Sequence, residues 1–526
     1  MATWKETLGR MDDLGNRTAQ LTLLSISAAV IVIAAVVAGP IRDESDVLSS
    51  PDKEAATDSA GRRAVDVDEE GRPVDAAGTP IAGKGVVTTA GTTDDAAAAL
   101  PSAPPITATH LKVGIAYNKD PGAANAAAGF GGIGQIEQKR GWDAVIADIN
   151  RDPAFGRKVV PVYYATTTDE ITSKGVERLE QEACALWTQD NPVFLVWGGI
   201  LGLDTLRACL TKAKVPLIGG SGGLSYTKTY KDYPYVVEPY SAALDRMATF
   251  QVDRLHAQGY FSKFKTNAAT YSPQKPADNK PRIGLIRYDQ PSYKAAAAAM
   301  KRALKSHGLS LCRDCEFEVT FSPDNIAEQL NDATEVNAAI QSFKAKGVTH
   351  VMFLGSTAGV RITIFFVDGA EKQRYRPRLG LNPLDAPTAA RDFLGSPSYP
   401  QFRQSVLVTT GPDEFDQLTD AFNRCKKIFM DAGETFQGDE ASAKEGQIPA
   451  WCDDAWYTKG VLAKVGPSLS LDSFMKAVAT VDPIDSAGVY LMKTTAQRRD
   501  GSGAIRVGEW FENCNCFKPT SDIIPV

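Results

Sequence analysis

From Leu111 onward, short apolar runs alternate with amphipathic stretches, and this alternation limits the possible folds more than any other property of the chain. The spacing predicts a strand over Leu111–Tyr117 (LKVGIAY), followed by a helix that closes with Gly141–Asn150 (GWDAVIADIN). A strand-like Val159–Tyr164, an amphipathic helix through Gln181–Thr188, a strand at Val193–Trp197, a helix near Leu203–Ala213 and a strand at Val215–Ile218 continue the pattern. Strands alternating with helices stack as βαβ units, so an α/β fold with a doubly wound parallel sheet is expected. After Pro239 the pattern restarts. Arg282–Tyr288 (RIGLIRY), Phe317–Phe321 (FEVTF), Thr349–Gly355 (THVMFLG) and a segment beginning at Arg378 read as strands, and the Ala-rich Tyr293–Ser306 reads as a helix. Two successive α/β units imply two similar lobes. Ligands of such sheets bind in crevices beyond the carboxyl ends of the strands, and two facing lobes make the cleft between them the default site.

The first quarter of the chain builds no such core, because no aromatic residue occurs between Trp4 and Tyr117. Residues 18–41 carry no charge, and Leu21–Ala38 is an almost unbroken apolar run. Eighteen helical residues cover about 27 Å, close to the hydrocarbon thickness of a bilayer. Apolar side chains cover the whole circumference, so a transmembrane anchor is expected over 18–41, with residues 1–17 cytoplasmic. The competing reading is a signal peptide, for which Val36 and Ala38 suit a small-residue cleavage site. Residues 42–108 are rich in Ala, Gly, Thr and Asp and bury too little apolar surface to offset the entropy of ordering. A disordered linker is expected there, spanning roughly 40–50 Å as a coil.

Charge narrows the partners. The chain holds 57 Lys+Arg and 63 Asp+Glu, a net charge of −6, but residues 40–108 alone contribute −7. The remaining 418 residues from 109 onward sum to about +1, which argues against nucleic-acid binding. All eight cysteines follow the apolar run, as suits an oxidising compartment and up to four disulfides among 105 connectivities. Cys184 and Cys209 fall on consecutive predicted helices, and Cys425 with Cys452 is the next expected pair. Cys312-x-x-Cys315 and Cys514-x-Cys516 could hold a redox or zinc motif, but no ligating His is near, and structural disulfides explain them more simply.

Two catalytic motifs are matched in letters only. Gly129–Gly134 fits GxGxxG, yet a dozen residues separate it from the preceding strand, so the helix N-terminus is wrongly placed for a dinucleotide. Gly219–Gly223 fits GxSxG after a strand, but Leu224–Tyr235 is rich in Tyr and Lys and unlike the helix a nucleophile elbow needs. A Gly-Ser loop at a strand's carboxyl end is better suited to offering N–H groups and a hydroxyl to a ligand anion. The four histidines show no metal spacing and no phosphate-binding loop is present, so neither cofactor nor metal nor catalysis is expected.

The order of segments resembles the type 1 periplasmic binding fold of Leu/Ile/Val ABC-transporter receptors. The stretches that carry it are LKVGIAY, AVIADINRDPAFGRKVVPV, VFLVWGGILGLDTLRACLTKAKVPLIGGSGG, RIGLIRYDQPSYKAAAAAMKRAL, AIQSFKAKGVTHVMFLGS and WCDDAWYTKGVLAKV, across residues 109–526. The resemblance implies two lobes joined by three crossovers, placed near Pro239, Gly411 and Ser486. The first lobe would comprise 109–238 and 412–485, and the second 239–411 and 486–526. The Cys184–Cys209 spacing is similar to the first-lobe disulfide of such receptors. The resemblance also implies a ligand site: Gly198, Gly199 and Ile200 after VFLVW, Ser221 and Gly222 after VPLIG, Tyr293 in DQPSY, and Ser356 and Thr357 after VMFLG. Where amino-acid receptors place a carboxylate for the ligand's ammonium, this chain has Asn382, with Asp385 three residues on. Burying an ammonium without a carboxylate is costly, so an amide, an organic acid or a small apolar metabolite is expected rather than a simple free amino acid.

The function implied is extracytoplasmic capture of a small ligand for the permease subunits of an ABC transporter, from a membrane-anchored or secreted protein. Two alternatives use the same fold. One is a ligand-sensing ectodomain acting through a membrane partner, since about 17 residues before the anchor are too few for an output domain. The other is an exported hydrolase using Ser221.

Overall fold

The computed structural model describes residues 105–122, 135–151, 156–198, 204–220, 224–265, 271–321, 331–355, 360–415, 418–437 and 441–526, with residues 66–67 and 73–74. The chain divides into two compact units, Met1–Ala98 and Ala99–Val526. In the first, Asp66–Val67 and Pro73–Val74 pair as antiparallel strands. This short pairing lies within the segment expected to be structureless; its two valines flank Gly71, a local hairpin signal. The apolar run at 18–41 lies outside the described residues. Among the described residues, no helix is long and apolar enough to cross a membrane.

The described part of the second unit starts at residue 105, where Ile106 bridges to Leu111 and the Lys112 N–H donates to the Pro105 carbonyl at 3.0 Å. Its first sheet contains β1 (His110–Asn118), β2 (Lys158–Thr166), β3 (Leu195–Trp197), β4 (Leu217–Ile218) and β5 (Val236–Val237). Their order is β2-β1-β3-β4-β5, every neighbour parallel. Side chains alternate across a strand, so in β3 Leu195 and Trp197 enter one apolar cluster and Val196 the other. Helix α1 (Gln138–Arg151) covers the first face with Trp142, Val145 and Ile149. Helices α2 (Val176–Ala185) and α3 (Asp204–Ala213) cover the second with Ala183, Leu206 and Leu210. Burial on both faces explains why these strands read as continuous apolar runs.

The chain then leaves for a second sheet through α4 (Leu244–Ala257). Strands β6 (Ile283–Tyr288), β7 (Leu311–Val319), β8 (His350–Leu354), β9 (Arg378–Leu381) and β10 (Val406–Thr409) lie in the order β7-β6-β8-β9-β10. This repeats the order of the first sheet. The connecting helices are α5 (Pro291–Ser306), which starts with proline and continues through an Ala run, α6 (Asn331–Ala345) and α7 (Val360–Lys372). One continuous core joins them to the sheet through Tyr288, Met300, Phe343, Phe353 and Phe366.

Beyond β10 the sheet departs from the parallel expectation. Strands β11 (Ala504–Phe511) and β12 (Cys516–Pro519) extend it antiparallel, and Ile524–Pro525 also pairs with β11. The reason is topological: β11 enters the sheet from the crossover, at the carboxyl end of β10, and can only run back along it.

Between β10 and β11 the chain returns to the first sheet. Helices α8 (Asp420–Asp431), α9 (Ile448–Val465) and α10 (Leu471–Val478) complete its first face with Phe422, Phe429, Tyr457, Val461 and Phe474. Trp142 stacks on Trp197 at 5.8 Å and meets Trp451 of α9 at 5.9 Å, and Trp451 in turn meets Phe429 of α8 at 5.5 Å. Three passages therefore connect the sheets, and they hold one another. The Glu238 N–H donates to Arg499 O (2.8 Å) and the Gly501 N–H to Glu238 O (2.7 Å), joining the first passage to the third. The Tyr490 N–H donates to Thr410 O (2.9 Å), joining the third to the second. Disulfides Cys184–Cys209 and Cys425–Cys452 tie α2 to α3 and α8 to α9. Cys312–Cys315 lies within β7, where the register with β6 shifts, and Cys514–Cys516 sits at the β11–β12 turn.

Candidate ligand cleft at the carboxyl ends of the strands

Strands β5 and β10 both run directly into the passages, so the carboxyl ends of the two sheets are directed to the region that joins them. In the first sheet these ends are made by glycines that other residues would not replace freely. Gly198, after β3, has φ +62°, and Gly219 and Gly220, after β4, have φ +74° and +89°. The Gly198 N–H donates to Ile218 O (2.9 Å) and the Gly219 N–H to Val237 O (2.7 Å), which pins both turns to neighbouring strands. A side chain on Gly219 would run into the Asp454 carboxylate.

Asp454 and its neighbour Asp453 are the functional candidates that the sequence reading passed over. Both are buried on α9. The acidic pair inside the apolar WCDDAWYTKGVLAKV stretch was the available signal. Asp453 accepts from Ser486 Oγ (2.6 Å), the Ala487 N–H (2.7 Å) and the Gly488 N–H (3.1 Å), fastening the third passage to α9. Burial pushes its carboxyl up to about 6 despite these donors. Asp454 lacks them: Oδ1 has no hydrogen-bond partner among the described residues, and burial, then the charges of Asp453 and Glu238, hold its carboxyl well above the usual range. Glu238, at the end of β5, is bonded by Ser225 Oγ and lies 3.8 Å from Arg207.

In the second sheet, Tyr293 is buried in the first turn of α5, its ring 5.6 Å from that of Tyr288. Tyr288, the last residue of β6, donates from its hydroxyl to Asp332 Oδ2 (3.2 Å), and Arg361 pairs with the same oxygen (3.2 Å). Burial still raises the Asp332 carboxyl to about 6. Asn382, after β9, is buried and caps a short 3-10 turn over Pro383–Asp385. Its Nδ2 donates to Phe353 O (3.1 Å) and Gln251 Oε1 (3.4 Å), while its Oδ1 accepts from the Leu384 N–H (2.9 Å). The Asp385 carboxylate accepts the Asn382 N–H (2.8 Å), and burial holds it well above the usual range.

Gly198, Tyr293 and Asn382 thus stand at the carboxyl ends of β3, β6 and β9. Gly199, Ile200, Ser221, Gly222, Ser356 and Thr357 lie outside the described residues, as does the GxGxxG stretch at 129–134. The histidines are engaged elsewhere: His350 is buried at the start of β8 against the Tyr260 and Lys263 carbonyls, and His256 stacks on His307 at 4.0 Å. Among the described residues, no group of three His, Cys, Asp or Glu is arranged to hold a metal ion.

No protein-family model matches the chain, and no curated protein matches it in sequence. Solved structures do match it in fold. A possible leucine/isoleucine/valine-binding protein from Rhodopirellula baltica SH 1 gives a TM-score of 0.53 at 13% identity, covering 80% of this chain and 98% of that one. The solute-binding protein of an ABC transporter from R. palustris, solved with 4-hydroxybenzoate, gives 0.52 at 15% identity, covering 79% and 97%. A leucine-binding protein from Thermotoga maritima MSB8 gives 0.51 at 10% identity, covering 79% and 98%. These neighbours are solute-binding proteins, and the fold this chain shares with them is that of the Leu/Ile/Val-type periplasmic binding proteins.

Proposed function

We propose that the chain is an extracytoplasmic solute-binding protein that captures a small organic ligand between two lobes and delivers it to the permease of an ABC transporter. The observation that carries this reading is the repeated strand order, with both sets of carboxyl ends directed to three mutually bonded passages. That arrangement suits two bodies closing on something small. In this reading the lobes are 109–238 with 412–485, and 239–411 with 486–526. The loops at Gly198–Ile200, Ser221–Gly222 and Ser356–Thr357 meet the ligand, and the buried Tyr293 and Asn382 hold the wall behind them.

The ligand in this reading is an amide, an organic acid or a small apolar metabolite. Asn382 carries no charge, and burial raises the carboxyl of Asp385 beside it well above the usual range, which disfavours the charged form that would attract an ammonium group. A thermal-shift screen of the full chain against amino acids, amides, organic acids and small aromatics tests this. At one hundred times Kd a ligand adds about 2.7 kcal/mol of stability. A shift from an amide, acid or aromatic, weakened by Ser221→Ala, is the expected result. Tight L-leucine or L-valine binding lost in Asn382→Ala would overturn the ligand class, and silence across every class would overturn solute capture.

Residues 18–41 anchor the protein in this reading, with 42–108 as the tether. An exported protein whose first residue lies near Gly39 would show instead that the segment is removed.

A further inference from the structure

The four disulfides fall into two kinds. Cys184–Cys209 and Cys425–Cys452 join cysteines 25 and 27 positions apart, and Cys184, Cys425 and Cys452 are wholly buried. Cys514–Cys516 encloses one residue, at the turn between β11 and β12. The freedom a crosslink removes from the unfolded chain grows with the loop it closes, so this ring contributes little to holding the fold. It also contains the one cysteine that is exposed among the described residues, Cys514, with Cys516 half-buried. The other short bridge differs, because Cys315 is only 1% exposed.

The surroundings leave exchange open. Cys516 pairs with Phe511 across the hairpin, and Lys518, two residues on and hence on the same face, holds its ammonium 5.7 Å from the Phe511 ring. The same face carries Glu509 directly opposite Lys518, so cation and carboxylate offset one another near a thiolate leaving from Cys516. The one carboxylate in the turn, Glu512, is engaged by Arg403 at 3.7 Å. β12 is an edge of its sheet, so a second molecule can approach from the side.

We propose that Cys514–Cys516 is an exchangeable disulfide that accepts two electrons from an external thiol. A thiolate attacks Cys514 Sγ; the new mixed disulfide forms as the Cys514–Cys516 bond breaks and Cys516 leaves as thiolate. A second thiol, on the same dithiol molecule or on another monothiol, attacks the sulfur of the incoming group. Cys514 leaves as thiolate, and the donor departs as a disulfide.

The test titrates the full native chain with dithiothreitol and, separately, with glutathione, then alkylates and maps the labelled cysteines by mass spectrometry. Cys514 and Cys516 are expected to label at a thiol concentration at least about tenfold below that needed for Cys184, Cys209, Cys425 and Cys452, with an unchanged Tm. Opening by glutathione would uphold the site with small thiols as sufficient donors. Opening by dithiothreitol alone would uphold it with dithiols as the donors. Labelling only together with the long-span pairs would overturn it, and so would a Cys514→Ser/Cys516→Ser variant that lost the native Tm.

Discussion

Asn382 shows how a residue can stand at the right place in a fold and still have its polar atoms spoken for. Its amide joins β8, α4 and the turn after β9. Asn382→Ala strands the Phe353 carbonyl and the Leu384 N–H in the core, at an expected cost of about 2–4 kcal/mol in denaturant unfolding. Asn382→Asp is predicted to be worse near neutral pH, since it buries a carboxylate against the Phe353 carbonyl and Gln251 Oε1, which the amide Nδ2 now serves as donor. Position was readable from the strand that precedes Asn382; engagement was not, because Gln251 and Phe353 are distant in sequence. Asp454 illustrates the reverse. Its presence on an apolar helix is visible in the sequence, but its closeness to Gly219 arises only when α9 returns to the first sheet. Gly219→Ala is expected to destabilise by at least about 1 kcal/mol, from its left-handed backbone together with the clash against Asp454, read as a lower urea midpoint.

At the scale of elements, the buried parallel strands were the most legible. LKVGIAY and RIGLIRY predict strands because both faces of each are covered, and the structure places strands at His110–Asn118 and Ile283–Tyr288. Strands β11 and β12 were not legible: they lie toward an edge, are interrupted by polar residues, and find their partners through a passage far along the chain. β7 begins at Leu311, earlier than FEVTF indicates, because its register shift takes up the Cys312–Cys315 loop. The passages have their own requirement. A side chain on Gly501 would collide with the Pro239 backbone carbonyl, which cannot rotate aside. Gly501→Ala is therefore expected to cost about 1–3 kcal/mol and to weaken ligand binding along with stability, measurable by unfolding and calorimetry on one preparation. Removing Cys184–Cys209 by paired alanines should cost about 3.5 kcal/mol, seen as a lower denaturant midpoint with little change in activity of the cleft.

For the whole molecule, the α/β class and the parallel sheets were written in the alternation, whereas the buried acids were not. Asp332 and Asp453 are pushed up to about 6 and Glu414 to about 8, all chiefly by burial, with Asp385 and Asp454 raised well above the usual range. A raised carboxyl contributes stability that is complete below its unfolded value and is lost as pH rises through its folded one. For a shift such as that of Asp453 the loss is about 3 kcal/mol. His350 and Lys265 act the other way: His350, lowered to about 4, contributes only as pH rises toward 6.5, and Lys265, lowered to about 7, contributes only above that pH. The Tm is thus expected to fall between pH 6 and pH 8, and Glu414→Gln should flatten that fall. The return of α8, α9 and α10 to the first sheet also sets a schedule for synthesis. A ribosome finishes β5 about 240 residues before it finishes α10. At roughly 5–20 residues per second, Trp142 and Trp197 wait on the order of 10–50 s for the helices that cover them. Throughout that interval the nascent chain presents an aromatic surface that a holding chaperone would recognise, and the two halves must mature nearly together.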